Sequence, residues 1–139
     1  MTGRLLALDW GEKRIGVAMS DESQTLAQPL TTLTRRIGKR FPMQQLKAIL
    51  DLHHPVGIVV GLPLTGEGHE GGAALAARAM GDAIARKSGL PVTYMDERMT
   101  SARAHRAITE MGGGLKGRKD DVDQLAATVL LQQYLDTQR

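Results

Sequence analysis

The chain has no cysteine. That excludes a disulfide framework, a thiolate metal site and a thiol nucleophile, and it fits a reducing compartment. Aromatic residues are nearly as scarce: Trp10, Phe41, Tyr94 and Tyr134 are all there are. So few rings argue against a surface that holds single-stranded nucleic acid by stacking its bases. No apolar run approaches the roughly 20 residues needed to span a bilayer. The first one, LLAL, is cut by Asp9 before it reaches the length of a signal-peptide core. The expectation is a soluble, cytoplasmic protein with no membrane partner. Histidine adds little. His53 and His54 close a helix, where a partly cationic ring is favoured, and neither they nor His69 and His105 have metal-ligand spacing.

Charge is present in modest excess. The formal net charge is +3 over 139 residues, which permits a nucleic-acid partner without requiring one. The cations gather in two places, Arg35, Arg36, Lys39 and Arg40, then Lys116, Arg118 and Lys119. Each cluster taken alone is explained by a solvated loop.

The length suits a single domain over residues 1–139 with one core. Leu5 to Asp9 reads as a buried strand, Gly11 to Lys13 as a turn, and Arg14 to Ser20 as a second strand paired in a hairpin. Leu26 to Leu30 reads as a third strand, kept at a sheet edge by Pro29. A helix over Pro42 to Leu52, a strand over Val56 to Gly61, a helix over Ala73 to Lys87 ended by Gly89, and a strand over Pro91 to Met95 follow. A helix starting at Thr100 or Ser101 runs to Gly112, and a basic loop leads to a last helix capped by Asp121, with Gln124 as its capping-box partner. The apolar stripe of that helix is Val122, Leu125, Ala126, Val129, Leu130 and Tyr134. A meander followed by strand–helix alternation gives an α/β fold, a five-stranded mixed sheet with helices on both faces.

The acids carry the chemistry. Asp9 ends an apolar strand, where an ionised group is costly unless paired or coordinated. Asp96 and Glu97 close the fifth strand and, by alternation, point to opposite faces. Asp123 stands in the first turn of the last helix, whose dipole keeps it ionised. Each has an ordinary structural explanation, a turn acceptor, a solvated strand end and a dipole partner respectively. Together they come from two strand ends and one helix start. Oxygen-only ligands suit Mg²⁺ or Mn²⁺, and two such ions roughly 3.5–4 Å apart could clamp both oxygens of a phosphodiester displacement.

Four segments, LALDWGEKRIGVA, IVVGLPLTGEG, YMDERMTSARA and KGRKDDVDQLAATVLLQQYL, resemble in order and spacing those of the YqgF/RuvX family. The resemblance covers nearly the whole chain. It implies an RNase H-like fold and a divalent-metal-dependent nuclease, expected to process the 5′ end of pre-16S rRNA in the cytoplasm or to resolve Holliday junctions. It matches Asp9, Glu97 and Asp123 to the family's acids, with Asp96 the substitute for Glu97. Lys13 and Arg98 match basic positions beside the site, suited to holding phosphate. Lys116, Arg118 and Lys119 precede the helix bearing Asp123, where a loop can close on substrate. Junction resolvases draw their second acid from the fourth strand; here that strand ends in Gly61-Leu62-Pro63 and its nearest acid is Glu67, so the second ligand must come from the fifth strand.

Other classes compete. Gly66, Gly68 and Gly71 have the G-x-G-x-x-G spacing of a dinucleotide loop, but Pro63, Leu64 and Thr65 separate them from their strand, and Glu67 and Glu70 would repel a pyrophosphate. Asp9-Trp10-Gly11 before a hairpin also resembles the first phosphate loop of the actin-like ATPases, which need two such domains. A third possibility is a non-catalytic RNA-binding module of ribosome assembly. Structured RNA, in particular pre-16S rRNA, is the expected partner, with DNA four-way junctions the alternative. A junction has two-fold symmetry, so a resolvase should be a homodimer, whereas an RNA processor need not be.

Overall fold

The computed structural model describes residues 2–10, 14–34, 41–62, 71–96 and 119–138. Strands β1 (Leu5–Trp10), β2 (Arg14–Ser20) and β3 (Ala27–Thr34) come first. Helix α1 (Met43–His53), strand β4 (Gly57–Leu62), helix α2 (Gly72–Ser88) and strand β5 (Val92–Asp96) alternate after them, and helix α3 (Lys119–Thr137) follows. One sheet holds all five strands in the order β3-β2-β1-β4-β5. β1 to β3 pair antiparallel, whereas β4 lies parallel to β1 and β5 parallel to β4. The mixed five-stranded sheet expected from the pattern is therefore present. The turn over Gly11 to Lys13 and the helix expected after Thr100 lie outside the described residues.

The pleat sorts side chains by size. Leu6, Leu8, Ile15, Val17, Met19, Ile58, Val60 and Leu62 face one way and pack with Leu46 of α1 and Ala77, Met80 and Ile84 of α2. Ala7, Ala18 and Val59 face the other way, against Ala127, Leu130, Leu131 and Leu135 of α3. The second face is lined by small residues, so α3 can lie close to the sheet.

Two details of α3 differ from the sequence reading. The helix is already formed at Lys119, which puts Asp121 inside its first turn, not at its cap. Its buried line runs through Ala126, Ala127, Leu130, Leu131 and Leu135, while Val122, Leu125 and Val129 are only partly buried. The helix is apolar on more than one flank, and periodicity alone does not choose between them. β3 is also longer than expected, reaching Thr34, and Leu26 stands outside it, 65% exposed. The strand does occupy an edge, with a register shift opposite Val17 and Ala18 where Pro29 enters the ladder. Gln132 of α3 fastens its start: the side-chain Oε1 accepts from Ala27 N–H at 2.9 Å and Nε2 donates to the Thr25 carbonyl at 3.0 Å.

Gly89 ends α2 in the left-handed conformation expected of it. A second glycine, Gly81, lies mid-helix for a different reason. A methyl group there would stand 2.5 Å from the hydroxyl of Tyr94. The Tyr94 ring lies under Arg78, 4.8 Å from the guanidinium carbon, and its hydroxyl lies 2.6 Å from Asp82 Oδ1. Burial, then the Asp82 carboxylate, pushes the phenol from its ordinary 10.0 up to about 12. The folded value lies above the unfolded one, so this contribution to stability is fully present below pH 10 and is lost as the pH climbs through 12. Wild type should lose stability across that window relative to Tyr94→Phe. Phenolate absorbance, wild type minus Tyr94→Phe, should show a midpoint near 12; a midpoint at the ordinary value would refute the seating of Tyr94 on α2.

Candidate carboxylate site

β1, β4 and β5 run parallel, so their carboxyl ends share one edge of the sheet. Open α/β sheets place ligands at that edge, where the strands stop and loops begin. Asp9 lies there, directly opposite Gly16 of β2 and directly beside Gly61 of β4. The row across the sheet at this level is Thr32, Gly16, Asp9, Gly61, Met95. A side chain at either glycine would stand beside the carboxylate. With hydrogen in both places, no side chain flanks Asp9 at this level from its two neighbouring strands. Alternation puts Asp9 on the face of Leu5 and Ala7, the face that α3 covers.

Gly16 also admits the helix. A methyl group there would collide with the backbone carbonyl of Asp123 and would lie 3.2 Å from its Cα. The first turns of α3 therefore rest on β2 backbone, and they do so at the residue paired with Asp9. Asp9 and Asp123, far apart in sequence, are brought to one face on either side of Gly16. Arg14, two residues before Gly16 on β2, joins them. Its Nε donates to Asp123 Oδ2 at 2.7 Å. The side chains are 28% and 25% exposed, so solvent screens the pair less than it screens a surface ion pair.

Asp96 is placed elsewhere. It closes β5 in register with Leu62 and shares the alternation of Val92 and Tyr94, which pack on the α1–α2 side. Asp9 belongs to the opposite face. Lys13, Glu97, Arg98, Lys116 and Arg118 lie outside the described residues, as does the side chain of Lys119, the residue that opens α3. Among the described residues no three acidic or histidine side chains gather; Asp9 and Asp123 supply two carboxylates. That oxygen-only donor pair at a glycine-bordered strand end fits Mg²⁺ or Mn²⁺ and is unsuited to a structural zinc.

Sequence reasoning missed Arg14 and Gly16. Both look like ordinary members of an alternating strand. The available signal was compositional: on β2 the residues sharing Asp9's face are Arg14, Gly16, Ala18 and Ser20, so a long cation stands in a row of small residues. Two clefts of about 520 and 560 Å³ lie away from this chemistry. One runs between α1 and α2, past Lys47, His54 and Lys87; the other lies at the opposite end of the sheet, past Val56, Pro91 and Tyr134.

The family described as RuvX: Holliday junction resolvase matches residues 3–137. The chain belongs to that family. A relative from Lactobacillus delbrueckii subsp. bulgaricus named "Putative pre-16S rRNA nuclease" is 41% identical, covering 98% of both chains. Relatives of the same name from Roseiflexus sp. and Lactococcus lactis subsp. cremoris are 36% and 39% identical, covering 99% and 98% of this chain and 96% of each relative. Among solved structures, the RuvC of T. thermophilus in complex with a Holliday junction substrate superposes with a TM-score of 0.57 at 17% identity, covering 98% of this chain and 95% of that one. The yeast mitochondrial Holliday junction resolvase gives 0.56 at 11% identity, over 96% of this chain and 78% of that one. At such identities the likeness is one of fold, and the RuvX-family chain has the RNase H-like fold of these resolvases.

If Gly16 is the seat of α3, Gly16→Ala should cost about 1–3 kcal/mol or more, because backbone on both sides leaves the methyl group nowhere to go. Urea unfolding measures the loss. Hydrogen exchange should show it concentrated in the amide protons of the first two turns of α3. Wild-type stability and protection would mean that the helix does not rest there.

Proposed function

We propose that this protein is a divalent-metal-dependent endonuclease that hydrolyses phosphodiester bonds in the 5′-end processing of pre-16S rRNA. One observation carries the reading: Asp9 and Asp123 share one face at the carboxyl edge of the parallel strands, separated by a glycine that admits backbone. Full-length relatives carrying the pre-16S rRNA nuclease name support the substrate. Asp9, Glu97 and Asp123 hold the cations. The placement of Asp96 with Tyr94, away from Asp9, supports Glu97 as the third acid. Bound Mg²⁺ or Mn²⁺, two ions in the full site, polarises the phosphodiester and raises the acidity of water. Lys13 and Arg98 hold the phosphate that is cut, and Lys116 and Arg118, together with Lys119 at the start of α3, approach the substrate backbone. No serine or cysteine nucleophile is needed. The reaction takes place in the cytoplasm. The family's description as Holliday junction resolvase favours a second reading, junction cleavage by a homodimer making paired cuts.

Asp9→Asn keeps volume and removes ligand charge. It should lower cleavage of a 5′-extended pre-16S fragment by at least a hundredfold with the fold intact, and Asp123→Asn should do likewise. Glu97→Gln should cost more than Asp96→Asn. Cleavage assays in Mg²⁺ and Mn²⁺ decide; equal activity of Asp9→Asn and wild type would remove the site, and a larger loss at Asp96 would move the third ligand there.

Depletion in the parent cells should leave 16S rRNA with 5′ extensions that wild type rescues and Asp9→Asn does not, read by mapping the 5′ ends. Normal ends together with a recombination defect would put the junction reading in its place.

A further inference from the structure

Arg14 has no part in the proposed function as stated, yet it makes an ion pair with Asp123 within the carboxylate site. We infer that Arg14 positions Asp123 and serves as a built-in counter-cation of the Asp9–Asp123 site when no metal is bound. The inference rests on the metal-site reading above and deepens it.

Three observations carry it. First, Gly16 fixes the backbone of Asp123 against β2 but leaves its side-chain torsions open. The 2.7 Å bond from Arg14 Nε selects one rotamer and engages one oxygen, Oδ2, leaving Oδ1 outside that bond. Second, Arg14 shares the face of Gly16 and so of Asp9, its cross-strand partner. Its charge is thus delivered to the side of the sheet that carries both carboxylates. Third, the Arg14–Asp123 pair is about three-quarters buried at a strand end, where charges are screened less than at the surface. A guanidinium in that place has two opposite effects on a divalent cation. It orients the ligand for binding, and it repels the arriving charge. Arg14 therefore keeps the empty site folded and lowers its affinity for metal, at a setting where Asp123 stays in the geometry the reaction needs.

The experiment uses the full chain, Mn²⁺ as the metal probe and a 5′-extended pre-16S fragment as substrate. Arg14→Gln keeps an amide donor and removes the charge. It should melt at a lower temperature than wild type without metal and bind Mn²⁺ about tenfold more tightly, read by calorimetry or by the loss of free Mn²⁺ resonance. Its kcat should fall tenfold or more with KM within twofold. Arg14→Lys should restore metal-free melting and bring Mn²⁺ affinity within twofold of wild type, while kcat recovers only in part because a lysine ammonium does not reproduce the Nε geometry. A lower melting temperature with unchanged or weaker Mn²⁺ binding would reduce Arg14 to a structural ion pair. A raised KM with unchanged kcat and Mn²⁺ affinity would make it a phosphate-binding residue. Either result overturns the inference while leaving the metal site standing. Failure of wild type to bind Mn²⁺, or equal binding by wild type and Asp9→Asn, overturns the metal site and the inference with it. Should Arg14→Gln not fold, Arg14→Lys decides alone, and wild-type kcat in that variant counts against the proposal.

Discussion

Side chains ordinarily hold a helix away from the sheet it covers. At Gly16 this spacer is missing, and the backbone of α3 at Asp123 rests on β2. The site depends on that contact. It brings a helix-borne carboxylate to the level of Asp9, and it places Asp123 within reach of Arg14, two residues away along the same strand. The rest of the face conforms to the same close approach. Ala7 and Ala18 on the sheet meet Ala127 on the helix, and bulk returns only further along, at Leu130, Leu131 and Leu135.

The opposite face is built the other way. There Leu6, Leu8, Ile15, Val17, Ile58 and Val60 present long or branched side chains to α1 and α2, and most of the large buried residues belong to that layer. One face supplies the greater part of the apolar burial that stabilises the fold. The other gives up volume so that charged groups can meet across backbone. Tyr94 shows how the bulkier side handles a polar group: its hydroxyl reaches Asp82 and the Arg78 carbonyl at the helix surface, across a glycine. The two close approaches, at Gly16 and Gly81, use the same device, one to admit a helix backbone and one to admit a ring.

Much of this was legible from residues alone. β2 runs from Arg14 to Ser20 as its alternation indicated, Gly89 ends α2, and Pro29 marks an edge. Asp9 declared itself because a charge closing an apolar strand needs a reason. The sheet's order was legible in kind, a meander joined to alternating strands and helices. Three features were not. Gly16 could have signalled a bulge, a bend or a close approach, and only the packing of α3 decides among them. The buried flank of α3 was ambiguous because Val122, Leu125 and Val129 compete with Ala127, Leu131 and Leu135 for the same role. Arg14 looked like an ordinary member of an alternating strand, and its partner lies 109 positions further along the chain. The roles given to Lys13, Glu97, Arg98, Lys116 and Arg118 come from the resemblance and the sequence, as these residues lie outside those described.

The edge strand β3 bears on how copies of this chain can meet. Many proteins assemble by aligning sheet edges and continuing one ladder into the next. Here that edge carries Pro29 and a register irregularity, and its beginning is already engaged by Gln132 through Ala27 and Thr25. Proline and bulges are the usual means by which a sheet edge resists extension. A continuous sheet running through two copies at β3 is therefore disfavoured. The same irregularity guards only one side of the meander made by the first three strands; its other edge, β1, is covered when β4 pairs with it.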